Sequence, residues 1–445
     1  LTERRWSGHA EAGGSAADEV AEICSDLIRI DTTNEGQGRG RPERPAAEHV
    51  AALLDEVGVT PTIVESAPGR SSVLARITGT EPSRPAFLMH GHLDVVPADP
   101  ADWAVHPFSG EVRDGNVWGR GAVDMKGSVA MMLAVVRRRM REGRLTGGDL
   151  VLAFLADEES TGDFGSRHVV ERHRDFLTGC TEAISESGGF SVTADGGERI
   201  YPIATGERGT AWMNLTVRGV AGHGSKPPKD NPVAELSHAI SRLAAYEWPV
   251  RLTPAVRALL DGLARALGTA LDHDRLDAEV RRLGAIGRLF ESTIRNSANP
   301  TVLDAGYKVN VIPGQATAQV DGRFLPGTGQ EFLETVERLL GPEVTREFIN
   351  FEEAAAADAQ GPTFAALADA IRAEDPQAHP VPYVMSGGTD GKSFARLGIS
   401  GFGFAPLMLP PDLDYFGMFH GVDERVPVEG LKFGTRVLDR FLDTR

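Results

Sequence analysis

Phe87-Leu88-Met89-His90-Gly91-His92-Leu93-Asp94-Val95-Val96 begins as an apolar run and ends in two histidines and an aspartate. Such a run predicts a buried strand whose C-terminal edge opens into a polar loop, the place where open α/β sheets bind their ligands. His92 and Asp94 are two residues apart, so in extended backbone they point to the same side, and the Asp94 carboxylate is expected to accept the second N–H of the imidazole. A carboxylate behind an imidazole is the arrangement that orients a metal-bound histidine. The plainer alternative is a strand end with two satisfied polar side chains, and the residues on either side decide between the two.

Upstream, helical periodicity covers 17–30 and 46–57, followed by β-rich runs at 62–65, 72–77 and 86–89. Downstream come a helix over 127–141, an apolar run of strand length at 150–156, a helix over 166–176 and a short strand at 182–185. This alternation predicts an α/β domain with a mostly parallel sheet and helices on both faces. The texture then changes. Residues 210–217 and 316–323 alternate apolar and polar side chains as half-exposed strands do, with helical patterns at 232–246, 254–267 and 276–289 between them. Residues 207–325 are therefore expected to form an inserted α+β domain with a small antiparallel sheet. The segments 15–206 and 326–445 form the first domain, the second segment adding helices at 330–340, 363–372 and 427–442 and a strand at 399–404.

A chain of 445 residues is long enough for two cores of ordinary size. Its apolar share of 41% and charged share of 24% are those of a soluble globular protein. A formal net charge of −17 argues against a nucleic-acid or anionic-membrane partner, because phosphate binding needs Lys and Arg in excess, and leaves a small-molecule substrate as the expected partner. The two cysteines, Cys24 and Cys180, read as reduced core thiols. Leu1 to Gly14 contains no apolar targeting stretch and no run elsewhere has membrane-spanning length, so a cytoplasmic location is expected.

Acidic residues follow other strand ends as His92 follows its own. Asp124 lies in the glycine-punctuated Trp118-Gly119-Arg120-Gly121-Ala122-Val123-Asp124-Met125-Lys126-Gly127 before a helix, Glu158 and Glu159 follow the apolar run at 150–156, and Glu186 follows Ser185. Taken singly, each is a solvated strand end. Four carboxylates and one histidine at the same edge of one sheet repel one another unless cations intervene. With no cysteine among them, these nitrogen and oxygen donors suit Zn²⁺, with Mn²⁺ or Co²⁺ as alternatives.

These motifs, together with Met418-Phe419-His420-Gly421-Val422-Asp423-Glu424, resemble in order and over residues 20–442 the motif set of the co-catalytic zinc exopeptidases and deacylases. That family includes glutamate carboxypeptidase, aminoacylase, acetylornithine deacetylase and succinyl-diaminopimelate desuccinylase. The resemblance implies two zinc ions per chain, one held by His92 and Glu186, the other by Glu159 and His420, with Asp124 bridging them. It implies that Glu158 is the general base acting on the water between the metals, and that the Asp124–Met125 bond is cis. It also makes the insert a lid and dimerisation domain. Within Gly219-Val220-Ala221-Gly222-His223-Gly224-Ser225-Lys226-Pro227, His223 then matches a histidine that reaches the active site of the other copy in a homodimer. Asn310, Arg323 and the loop residues Gly387, Gly388 and Thr389 match substrate-binding positions, Arg323 holding a free carboxylate. Glutamate at position 186 accords with acylase or carboxypeptidase action more than with aminopeptidase action. An amide hydrolase for N-acyl amino acids or small peptides with a free carboxylate is thus expected, with an aminopeptidase or dipeptidase as runner-up and a catalytically silent ligand-binding member behind it.

The chain departs from the family pattern at Gly127, in the loop Ser160-Thr161-Gly162-Asp163 and in an extra helical stretch over 251–290. Ser386-Gly387-Gly388-Thr389-Asp390-Gly391-Lys392-Ser393 also approaches a phosphate-binding loop, but Ser386 replaces its first glycine.

Overall fold

The computed structural model describes residues 16–36, 38–226, 230–272 and 275–445. The N-terminal segment read above for targeting signals, residue 15 of the first domain and Pro227 of the His223 loop lie outside them. No helix among the described residues is long and apolar enough to cross a membrane.

The strand Ala86–His92 is buried along its whole length. It pairs in parallel with Leu150–Leu155 on one side and with Cys180–Ser185 on the other, and Ser400–Gly403 continues the parallel set beyond Cys180–Ser185. Antiparallel strands finish the sheet. Arg70–Ile77 and Thr62–Ala67 form one flank, while Arg199–Glu207 leads the other with Ala378–Met385 parallel to it. Alternate residues feed two cores, as a period of two requires. Phe87, Met89, Leu152 and Phe154 pack under helices Ala16–Arg29, Lys126–Glu142 and Val428–Leu442. Leu88, Val151 and Ala153 face Val169 and Phe394 on the other side. Being covered on both faces explains why the central strands read as continuous apolar runs.

The insert contains an antiparallel sheet in the order Ser297–Ala305, Gln315–Phe324, Gly209–Arg218, Thr345–Glu352. Helices Pro232–Ala244 and Gly329–Leu340 cover one face with Leu236, Ala239, Leu243, Phe332 and Val336. Two expectations need correction. The insert does not return to the first domain at residue 325, since Gly329–Leu340 and Thr345–Glu352 belong to its own layers. An amphipathic helix reads the same whichever sheet it covers. The extra helical stretch is not part of this layer either: Leu259, Leu263, Ile286 and Phe290 pack on Ile200, Ala204, Val381 and Tyr383 of the main sheet. Gly262 permits that close approach, because a Cβ there would lie 2.8 Å from a Val381 methyl.

The chain passes between the insert and the main sheet through two paired straps. Gly206 and Glu207 pair antiparallel with Ala356 and Ala355 where the insert begins and ends. Val250 and Arg295 form an antiparallel bridge on either side of the extra helices, reinforced by the Arg251 N–H donating to the Ile294 carbonyl at 2.8 Å.

Candidate active site

Parallel pairing places the ends of three strands at one edge. His92 closes its own strand opposite Leu155, Glu158 and Glu159 follow Leu155 through the positive-φ residue Asp157, and Glu186 follows Ser185. Asp124 comes from the loop entering helix Lys126–Glu142, and the Asp124–Met125 bond is cis, as expected. His420 arrives from the C-terminal segment at a φ of 57°.

The two oxygens of Asp124 face opposite ways. Oδ1 lies 3.0 Å from His92 Nε2, and Oδ2 lies 3.3 Å from His420 Nε2. Glu186 Oε2 is 3.7 Å from His92 Nε2, and Glu159 Oε2 is 3.2 Å from His420 Nε2. Donor atoms of His92, Asp124 and Glu186 lie within 4.8 Å of one another, and so do those of Asp124, Glu159 and His420. Two adjoining triads sharing one carboxylate are what a pair of cations needs. Glu158 belongs to neither, its Oε2 lying 3.9 Å from His92 Nε2.

The electrostatics fit cations in these triads. Burial, then the neighbouring carboxylates, pushes Glu159 up to about 7 and Glu186 up to about 8, and drives Glu158 well above the usual carboxylate range. Hydrogen bonding to Asp124 and then Glu159 raises His420 to about 10. Burial alone would lower the pKa of His92, but Glu186 and Asp124 carry it well above the ordinary imidazole value. The cluster thus demands positive charge, which protons on the two histidines supply when nothing else does. Glu159 Oε1 is buried without a hydrogen-bond partner, a lone pair free for a cation.

The partner expected for His92 differs from the one found. Its Nδ1 contacts the backbone carbonyl of Asp94 at 2.9 Å, with the Asp94 carboxylate 3.7 Å away. That carboxylate accepts instead from the backbone N–H groups of Glu158 at 3.2 Å and Glu159 at 3.1 Å, and from Asn34 Nδ2 at 2.8 Å. Asp94 therefore orients the histidine through its main chain and the two glutamates through its side chain.

Sequence reasoning missed what stands behind it. Asn34 also donates to Asp157 Oδ1 at 3.1 Å, and Arg70 joins Asp157 at 2.7 Å to Glu43 at 2.9 Å, all of these side chains buried. Glu424, fully buried, accepts from the N–H groups of Gly121, Val123 and Asp124 and from Arg120 at 2.8 Å, which holds the main chain that carries Asp124 in place. An interior charge in a strand looks like a solvated one until the fold is known. Removing Arg70 leaves Asp157 as an uncompensated buried charge, so Arg70→Ala is expected to lower the unfolding free energy by about 3–5 kcal/mol. Denaturant titration checks this, and an unchanged midpoint at unchanged slope would refute it.

A cleft of about 370 Å³ opens over the acidic cluster. Gly387, Gly388 and Thr389 line it together with Phe190, Tyr383 and Phe416. The loop is no phosphate cradle: Lys392 points inward to Thr210 Oγ1 at 3.1 Å and to Glu352 at 3.6 Å, and the helix behind the loop, Gly391–Ala395, has five residues. Arg323 lines a second space of about 260 Å³ that adjoins the cleft at Glu158 and His420, together with Trp212 and Asn350. Its guanidinium pairs with Asp321 at 2.7 Å and donates from Nη1 to Thr210 at 3.1 Å. His223 and Asn310 stand apart from the cluster. They share a small exposed two-stranded ribbon of the insert, formed by segments distant in sequence, where Gly222 and His223 pair with Ile312 and Val311 and Gly224 N–H donates to the Asn310 carbonyl at 2.9 Å.

Comparison with known proteins agrees with this geometry. The family model for peptidase family M20/M25/M40 matches residues 88–444. The N-fatty-acyl-amino acid synthase/hydrolase of Xenopus tropicalis is 27% identical over 96% of this chain and 87% of its own. Aminoacylase-1 of Pongo abelii is 27% identical over 90% of this chain and 92% of its own. Among solved structures, an M20 family metallo-carboxypeptidase from Sulfolobus solfataricus superposes with a TM-score of 0.71 at 18% identity, covering 96% of this chain and 99% of that one.

Proposed function

Because this chain belongs to peptidase family M20/M25/M40, we propose that it is a metal-dependent hydrolase that cleaves the amide bond of N-acyl amino acids bearing a free carboxylate. The observation that carries the reading is the placement of Glu158, next to both donor triads, outside each of them and lining the cleft. His92 with Glu186 and Glu159 with His420 would hold two divalent cations, zinc by the chemistry of the donors, with Asp124 shared, and these supply the Lewis acidity that polarises the scissile carbonyl and makes water a nucleophile at neutral pH.

The chain's own residues do the rest. Glu158 takes the proton of the attacking water and passes it to the leaving nitrogen, a role suited to a carboxyl whose burial raises its proton affinity. Asp94 keeps Glu158 at that position by holding the N–H groups of residues 158 and 159. Gly387 and Gly388 let backbone approach the substrate closely. His223 and Asn310, exposed on the two-stranded ribbon of the insert, act in the cleft of a second copy of the chain, so the working unit is a homodimer.

Arg323 anchors the substrate carboxylate. Its planar fork can receive that group in exchange for Thr210 while Asp321 keeps the guanidinium in place. Arg323→Ala is expected to cost about ten- to a hundredfold in kcat/KM toward N-acyl amino acids and almost nothing toward their carboxamides. Equal wild-type rates on acid and carboxamide would remove this role and favour an aminopeptidase.

A further inference from the structure

Arg208 follows the strap residue Glu207, where the chain passes from the main sheet into the insert. Its backbone N–H donates to the Met385 carbonyl of the main sheet at 3.2 Å. Its side chain reaches the ends of two insert strands, where Nη2 donates to Ser297 Oγ and, at 3.1 Å, to the Arg323 carbonyl. The residue is only 3% exposed, its Nε has no hydrogen-bond partner, and no carboxylate pairs with it among the described residues. A buried charge is normally paired, so this one calls for an anion that the chain does not itself supply.

A space of about 900 Å³ borders Arg208. It is also lined by Ser386 and Gly387, which lead to the catalytic cleft, and by Arg323, which it shares with the space adjoining the cleft at Glu158. The charges around it are unevenly matched. Asp277 is paired with Arg295, and Glu247, Arg281 and Glu291 stand exposed at the rim, where water screens them. At the inner end Asp321 already neutralises Arg323, accepting from Nε at 2.7 Å and from Nη2 at 3.3 Å. On the other side of Arg323, Lys392 has a partner of its own in Glu352 at 3.6 Å. Arg323 and Asp321 alone would therefore offer an incoming carboxylate no net charge. With Arg208 present, two guanidiniums face one carboxylate. Burial, followed by the neighbouring Arg323, lowers the pKa of Arg208 to about 10 against the opposing pull of Asp321, so it stays cationic at neutral pH.

We infer that Arg208 is a specificity-determining residue: it supplies the unpaired positive charge that a substrate carboxylate neutralises when it binds at Arg323. The inference rests on the reading of Arg323 given above and adds what that reading lacks, because a guanidinium already paired with Asp321 attracts a second carboxylate only weakly. The carboxylate is then held where the insert joins the main sheet, by one residue at the end of an insert strand and one beside the strap.

The test uses the metal-loaded full chain with the N-acetyl derivatives of the common amino acids and the matching α-carboxamides. Arg208→Gln keeps a donor for Ser297 and removes the charge. It should lower kcat/KM toward the acids by about ten- to a hundredfold and toward the carboxamides by less than about twofold. Arg208→Lys keeps the charge and should retain most of the preference for acids. Ser297→Asp leaves Arg208 in place and gives it an internal counter-ion, so it should reproduce the loss seen in Arg208→Gln, and it carries the test if that variant does not fold.

A fall of equal size toward acids and carboxamides in Arg208→Gln and Ser297→Asp would show that Arg208 only braces the strands, and would overturn the inference. A preference as low in Arg208→Lys as in Arg208→Gln would overturn it too, since charge would then not be what matters. If Arg323→Ala abolishes the preference while both neutralising variants keep it, the inference falls and the role of Arg323 stands. Equal wild-type rates on acids and carboxamides overturn both.

Discussion

Glu158→Gln should retain close to two metal ions per chain while kcat falls by roughly two to four orders of magnitude, the usual worth of a general base. The substitution keeps the size of the side chain and removes only its ability to take a proton. Glu158 is outside both donor triads, and the main-chain N–H that Asp94 holds is untouched, so neither ion should leave and the turn should not move. Elemental analysis beside steady-state kinetics separates this role from its alternative. A variant that carries one ion per chain would show Glu158 to be a ligand and Glu159 the base. Glu159→Gln is expected to give the opposite pattern, since its Oε2 faces His420 and its Oε1 is unpartnered.

Mixing two inactive variants should restore activity. His223→Ala removes the ribbon histidine and keeps the base, and Glu158→Gln does the reverse. If His223 acts in the cleft of the second copy, each mixed dimer has one site with both groups intact. Random assortment makes half the dimers mixed, so about a quarter of wild-type activity should return from two nearly inactive preparations. The structural ground is the position of His223, exposed on a two-stranded ribbon apart from its own cluster, with Val220 at 76%, Tyr307 at 81% and Val309 at 103% exposure in the segments that form the ribbon. Apolar side chains uncovered to that extent are characteristic of a surface that meets another protein. No activity after demonstrated subunit exchange would confine His223 to its own chain.

The sheet edge was legible in the sequence because it depends on order alone. Apolar runs that end in His92, Glu158 and Glu186, separated by helices, must be parallel, and parallel strands share an edge. The supports of that edge were not legible. Whether His92 meets the carboxylate or the carbonyl of Asp94 depends on a local turn that no residue type dictates. Arg70 and Glu43 look like ordinary surface charges until the fold buries them behind Asp157. The limits of the insert were misread for a similar reason: Phe332, Val336 and Leu340 form an apolar stripe, and a stripe does not say which sheet it covers. The β-branched and aromatic run Phe348-Ile349-Asn350-Phe351 within Thr345–Glu352 was the available signal that the small sheet had not ended.

The two straps fix more than the borders of the insert. A body hung from one pair of strands can twist as well as swing, whereas a body hung from two pairs at separate places keeps a single axis, the line through both. Here the pairs are residues 206–207 with 355–356 and residues 250 with 295. The insert is accordingly a door on two hinges, and the extra helices between 250 and 295, fastened to the main sheet by Leu259 and Phe290, are the frame that carries the second. Any closing of Arg323 and Trp212 over Glu158 must follow one arc, so substrates of different length meet the same approach angle at the reacting carbonyl.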